Sequence, residues 1–202
     1  MILALDTSTA ACTAALFDSG GQCLGSRDEL IGRGHAERLA PMLDELLDGR
    51  SADTILVGVG PGSFTGLRVG IAAAHGLAIG WGAKVKGLSS LALLAASAGL
   101  DGEVAASMSG GHGELFVQQF DSGLGPASEL FNLPPGAAAD AISAEVIVGP
   151  GAPALIEARS HGTAVEAWPK AANALRLPAA LRNLQPAPLY GRAPDAKASV
   201  AA

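Results

Sequence analysis

Apolar and polar positions alternate in blocks along this chain, and the lengths of the blocks predict a mixed α/β fold. Ile2 to Leu5 is an apolar run closed by the polar turn Asp6-Thr7-Ser8-Thr9. Thr13 to Phe17 and Gln22 to Asp28 follow as strand candidates, separated by Ser19-Gly20-Gly21, residues that suit a tight hairpin turn. Three strands joined by short turns predict an antiparallel meander. From His35 to Leu47 the period becomes that of a helix, with Leu39, Leu43, Leu46 and Leu47 on one face and Glu37, Arg38, Asp44, Glu45 and Asp48 mainly elsewhere. Pro41 lies about two turns into that helix and is expected to kink it.

Thr54 to Val59 is a short apolar run that predicts a buried strand. The glycine-rich junction Gly60 to Gly70 leads from it into an Ala-rich helix that runs to Ile79. Lys84 to Gly87 is a further short strand, and Ser89 to Ala98 a further helix. The order strand, strand, strand, helix, strand, helix, strand, helix matches one lobe of the actin-like (sugar kinase/Hsp70/actin) ATPase-type fold. From Asp101 onwards Gly, Pro and Ala dominate. Val104 to Met108, Leu115 to Phe120 and Val146 to Gly149 are weaker strand signals, and Pro153 to Arg159 and Ala171 to Leu175 are short helix candidates. Leu124 to Ala141 is expected to be a loop with little structure, and Pro178, Pro186, Pro188 and Pro194 segment the tail. The expectation is an α/β protein of two lobes, residues 1–98 and an abbreviated 99–202, with no convincing internal sequence repeat.

Composition narrows the function classes. Hydrophobic residues make up 49% of the 202 residues and aromatics only 4%, so the core must be built mainly from Ala, Leu and Val. A net charge of −6 argues against a protein that grips nucleic acid alone, because phosphate binding needs a basic surface. It leaves room for a subunit of a complex in which a partner holds the RNA. Cys12 and Cys23 fit no metal-ligand spacing and are expected to be reduced thiols. No basic leader precedes the first strand, and no uncharged apolar run approaches the roughly 20 residues that span a bilayer. A soluble cytoplasmic chain without membrane contact is expected.

Several residue patterns invite chemistry. Asp6 has the character to orient a magnesium-bound water and Thr7, Ser8 and Thr9 to bond a phosphate; the same four residues equally make a self-capped turn, since Asp, Ser and Thr bond nearby backbone. The junction Gly60-Pro61-Gly62-Ser63-Phe64-Thr65-Gly66 resembles a phosphate loop but lacks the Lys-Ser/Thr pair of a Walker loop and the Gly-x-Gly-x-x-Gly spacing of a dinucleotide site. Ser63 directly follows Gly62, so the Gly-x-Ser-x-Gly spacing of a hydrolase elbow fails, and Ser63 is expected to cap the next helix. Gly149-Pro150-Gly151-Ala152 is a weak second candidate for a phosphate loop. His35, His75, His112 and His161 show no i, i+4 pair, which argues against a metal site. Gly66, Gly70, Ala73 and Ala74 recur at helical spacing, and glycine inside a helix costs up to about 1 kcal/mol relative to alanine, so the stripe needs a packing reason. It faces either the chain's own sheet or another subunit, across which Arg68 would pair.

These residues together carry a resemblance. The opening Ile2-Leu3-Ala4-Leu5-Asp6-Thr7-Ser8-Thr9, His35 entering Leu39-Ala40-Pro41-Met42-Leu43, Gly60 to Gly70, Gly76-Leu77-Ala78 and Gly87-Leu88-Ser89-Ser90-Leu91 resemble the TsaB family of bacterial tRNA threonylcarbamoyladenosine biosynthesis proteins, glycoprotease-like (peptidase M22) sequences. Gly113-Glu114-Leu115-Phe116 and Pro188-Leu189-Tyr190-Gly191-Arg192 look like its later landmarks, although Ser109-Gly110-Gly111 stands where the family commonly has Asp-Ala-Arg, and Gly191 where it often has Leu. The resemblance covers residues 1 to about 98 well and the second half loosely.

The resemblance implies an actin-like fold and a non-catalytic role, without cofactor or metal. The catalytic paralogue, TsaD, carries a His-x-x-x-His metal pair whose positions here fall at Ser89 and Leu93, neither of which replaces imidazole. It implies direct pairing with TsaD through a helix bundle built from the helices His35 to Leu47 and Thr65 to Ile79, with TsaE joining the assembly and tRNA met only through the complex. Leu39, Leu43, Gly62, Gly66, Arg68, Gly70, Ala73 and Ala74 are then the expected interface residues, and a homodimer through the same surface is the alternative. A different class of function, an ATP-dependent phosphotransferase of the sugar-kinase/acetate-kinase type using Asp6 and the Thr7 to Thr9 turn, stands as the alternative to the scaffold. A protease has neither metal ligands nor a triad to work with.

Overall fold

The computed structural model describes residues 1–189; Tyr190, Gly191, Arg192 and Pro194 lie outside the described residues. The chain opens with the expected meander, β1 (Ile2–Asp6), β2 (Ala11–Phe17) and β3 (Cys23–Leu30), then alternates α1 (His35–Leu47), β4 (Thr54–Gly60), α2 (Phe64–Trp81), β5 (Lys84–Ser89) and α3 (Ser90–Ser97). The sheet runs β3-β2-β1-β4-β5, with β1–β2 and β2–β3 antiparallel and β1–β4 and β4–β5 parallel. Parallel neighbours need a crossover, and α1 and α2 supply it.

The second half repeats this plan. β6 (Val104–Gly111), β7 (Glu114–Phe120), β8 (Phe131–Leu133), α4 (Pro135–Ala141), β9 (Val146–Val148), α5 (Ala152–Arg159) and β10 (Thr163–Val165) form a sheet of order β8-β7-β6-β9-β10, again two antiparallel pairs followed by two parallel ones. This is a two-lobed actin-like fold with the second copy cut down: β8, β9 and β10 have three residues each, and α4 has seven where α1 has thirteen. One expectation is corrected here: Leu124 to Ala141 contains β8 and α4. Proline was the misleading signal: Pro135 stands in the first turn of α4, where its missing N–H costs nothing.

Five layers result. One core joins α1 and α2 to the outer face of the first sheet through Leu3, Leu5, Leu16, Met42, Ile55 and Val57. Another joins α4 and α5 to the second sheet through Ala105, Val117, Ile147 and Leu155. Between the sheets lies α3, where seven of eight residues are buried, together with a 3-10 turn at Ala171–Arg176. A helix apolar all round is the sequence signature of that middle position. After the second sheet the chain returns to the first lobe, where Leu184 bridges Gly87 of β5.

Candidate functional site

The first turn and the glycine junction are built onto each other. Asp6 is fully buried at the end of β1. Its Oδ1 accepts from Ser8 N–H at 2.8 Å and Ser8 Oγ at 2.6 Å, and its Oδ2 accepts from Ser90 Oγ at 2.6 Å. Ser90 Oγ in turn accepts from Gly60 N–H at 3.2 Å. Burial pushes the Asp6 carboxyl up, against the downward pull of the bonds from Ser8 and Ser90. A Cβ on Gly58 would sit 1.9 Å from Asp6 Oδ2, so only glycine leaves room for the carboxylate. Thr7 Oγ1 donates to the Gly66 carbonyl at 2.7 Å, and Thr9 Oγ1 accepts from Ala11 N–H at 3.1 Å.

The turn Asp6 to Thr9 thus caps itself. Asp6 and Thr7 are buried against α3 and α2, whereas Ser8 and Thr9 line the cleft between the lobes. Ser90, which ties the three segments together, was not singled out from sequence; a serine next to an N-cap carries no distinguishing local signal.

Ser63 caps α2 as expected, accepting from Gly66 N–H at 3.2 Å, and the helix begins at Phe64, about two turns before the Ala-rich run that starts at Ile71. Gly66 and Gly70 look inward: a Cβ on Gly66 would lie 2.0 Å from the Thr7 carbonyl oxygen, and one on Gly70 2.5 Å from Thr7 Oγ1. Ala74 is buried with them, and Leu39 and Leu43 of α1 belong to the same core. All five are buried in the isolated chain, Leu43 at the base of the groove between α1 and α2. The packing reason for the glycines is close approach of α2 to β1. Of the others, Gly62 and Ala73 are half-buried, and Arg68 is exposed with its guanidinium 3.5 Å from the centre of the Phe64 ring. Ser89 caps α3 through Ala92 N–H at 3.2 Å, and Leu93 is fully buried in the middle layer.

What α2 leaves outside is a different stripe. Phe64 is 54% and Ile79 86% exposed, and Thr65, Arg68, Ala72, His75, Gly76 and Gly80 are exposed between them. Beside it, α1 and α2 flank a groove of about 550 Å³ lined by Ala40, Leu43, Asp44, Ala73, Gly76, Leu77 and Trp81. A second cavity of about 550 Å³ lies between the lobes. Ser8, Thr9, Ser63 and Phe64 line one side of it, and Ser109, Gly110, His112, Pro150 and Trp168 the other. Among the described residues no Asp or Glu lines that cleft. Among the described residues no three His, Cys, Asp or Glu side chains gather as a metal site, and no helix is long and apolar enough to cross a membrane.

Two lobes around a cleft, with an exposed helical face on the first, define the class: a two-lobed α/β protein of actin-like fold. Comparison with known proteins narrows it. Residues 25–177 match the family model described as TsaD: tRNA N6-adenosine threonylcarbamoyltransferase, and the chain belongs to that family. Within it the chain is of the TsaB type. It is similar to the tRNA threonylcarbamoyladenosine biosynthesis protein TsaB of Haemophilus influenzae, 43% identical over 102 residues, 48% of this chain and 42% of that protein. It is similar also to TsaB of Escherichia coli, 41% identical over 102 residues, 48% of this chain and 43% of that protein. The matched segment thus spans less than half the length of these curated relatives. Among solved structures, YeaZ from Pseudomonas aeruginosa superposes with a TM-score of 0.79 at 32% identity, covering 94% of this chain and 98% of that one.

Proposed function

We propose that this chain is a non-catalytic component of the machinery that makes threonylcarbamoyladenosine in tRNA, acting in the cytoplasm as the direct partner of a TsaD enzyme. The observation that carries this reading is the exposed face of α2, with Ile79 86% exposed beside the groove between α1 and α2. Large apolar side chains flanked by Gly76, Gly80 and Ala72 let a second helix come close and bury apolar area, which is what drives protein association. Because the chain belongs to the same family as TsaD, the partner carries a related pair of helices. Two related faces can then meet about a pseudo-two-fold axis as a helix bundle. TsaE joins the assembly, and tRNA is met only through it, in keeping with a net charge of −6.

The role is to scaffold or activate threonylcarbamoyl transfer to the adenosine 3′ of the anticodon by TsaD. Nothing in the cleft favours an ATP-dependent phosphotransferase. The test is size-exclusion chromatography with light scattering, on the chain alone and mixed with its cognate TsaD. A one-to-one complex that forms without ATP, and tRNA modification by TsaD that depends on it, is the expected result. Absence of a complex together with ATP turnover by the isolated chain overturns the proposal, and a homodimer that TsaD does not displace assigns the face to a second copy.

A further inference from the structure

Residues 183–189 come back onto the turn that launches α2. Residues 183–189 run back along the outer edge of β5. Leu184 and Gly87 exchange both backbone hydrogen bonds, at 2.8 and 3.0 Å. Lys86 Nζ donates to Asn183 Oδ1 at 2.8 Å, and His75 of α2 meets the Pro186 carbonyl through Nε2 at 3.4 Å. The Leu189 N–H donates to the Val59 carbonyl at 2.7 Å, one residue before the Gly60-Pro61-Gly62-Ser63 turn.

Two glycines make room for this segment. A Cβ on Gly87 would lie 2.6 Å from the Gln185 carbonyl oxygen, and one on Gly60 3.0 Å from the Leu189 carbonyl oxygen. Gly60 also has a backbone φ of 111°, so its conformation and its neighbour both call for glycine. The turn is thus held from two sides. Asp6, through Ser90, and Ser8, whose carbonyl accepts from Ser63 N–H at 2.7 Å, hold the front; the returning tail holds the rear.

We propose that residues 183–189 are a built-in strand that latches the Gly60 to Ser63 turn and so fixes the first turn of α2. The segment is joined to the edge of the sheet by a short, solvent-near ladder, and such ladders open locally without unfolding the core. Resting on the proposed partner role of α2, release of the latch also weakens the complex with TsaD, since Phe64 and Arg68 lie in the turn that it steadies. The tail then acts as a control point for partner binding.

The test is hydrogen exchange on the full chain by mass spectrometry, comparing wild type with Leu184→Pro, which removes the N–H donated to Gly87, and with Gly87→Ala, which pushes a Cβ at the Gln185 carbonyl. Exchange of the Gly66 and Leu67 amides, both bonded to Ser63, is expected to speed up by about ten-fold or more in both variants, with β1 and β2 unchanged. Wild-type exchange at Gly66 and Leu67 in a variant whose 183–189 amides are released overturns the latch. Equal loss of protection in β1, β2 and α2 overturns it too, by making the tail part of the global core. Light scattering with TsaD then reads the second consequence: a weakened complex supports the control point, and an undiminished one overturns that link while the exchange data stand by themselves.

Discussion

Thr7 and Gly66 clamp the first turn of the chain to the helix that follows the glycine junction: Thr7 Oγ1 donates to the Gly66 carbonyl at 2.7 Å, and a Cβ on Gly66 would fall 2.0 Å from the Thr7 carbonyl oxygen. At Gly66 the atom in the way is backbone, which has little room to shift, and at Gly70 it is Thr7 Oγ1, a buried side-chain oxygen held by its own hydrogen bond.

Gly66→Ala and Gly70→Leu are therefore expected to destabilise the isolated chain, by about 2–4 kcal/mol, through overpacking at a site that cannot relax. Gly76→Ala meets nothing within 4 Å and should stabilise by up to about 1 kcal/mol, because alanine restricts the unfolded chain and favours the helix. Urea midpoints of the three variants, measured without partner, check the contrast. A stable, folded Gly70→Leu chain would put the stripe back on the surface.

Asp6→Ala removes the acceptor of Ser8 N–H, Ser8 Oγ and Ser90 Oγ in a dry site. A loss of about 2–4 kcal/mol is expected from the unpaired groups, and less for Asp6→Asn, which keeps the shape and one acceptor. The measurement is denaturant unfolding of the isolated chain. Defective complementation by Asp6→Ala with unaltered stability would instead point to chemistry at this residue.

Arg38 bonds Glu29 and Glu45, with Nε to Glu29 Oε2 at 2.7 Å and Nη1 to Glu45 Oε1 at 3.0 Å, and holds both carboxyls below their usual range. Such groups bind fewer protons folded than unfolded. Their contribution is complete above the unfolded pKa and is lost as pH falls through the folded one. Stability should therefore decline below about pH 5, and Arg38→Met should flatten that decline. The pairs are surface ones, so added salt should flatten it as well. Thermal melts from about pH 3 to pH 7 report the slope.

Ile79→Asp sits on the exposed face of α2 and touches no core, so the melting temperature of the isolated chain should move little. Affinity for TsaD should fall by ten-fold or more, about 1.4 kcal/mol, the cost of placing a charge in an apolar contact. Titration followed by light scattering or calorimetry decides. Full affinity in a folded Ile79→Asp chain would move the interface elsewhere.

The first lobe was legible because its signals are local. The apolar runs Ile2 to Leu5 and Thr13 to Phe17, the helical period from His35 to Leu47 and the cap at Ser63 all depend on neighbours a few residues away, and each element is present, with β2 starting two residues earlier and α2 about two turns earlier than its run. The second lobe was half legible, since three-residue strands such as Thr163–Val165 are too short to show a period. Val-Gly-Pro-Gly does recur at 59–62 and 148–151, each time between a parallel strand and a helix, but four residues are too few to establish a repeat without the topology. Spacing fixed that Gly66, Gly70 and Ala74 share one face of a helix. Only the tertiary structure decided that this face meets Thr7 and that Ile79 faces water. The same holds for the bond from Asp6 to Ser90 and the tail that meets Gly60 and Gly87. A period states which residues lie together on an element; what covers them is set by contacts between distant segments, 59 residues apart for Thr7 and Gly66 and 84 for Asp6 and Ser90, and no local pattern encodes those.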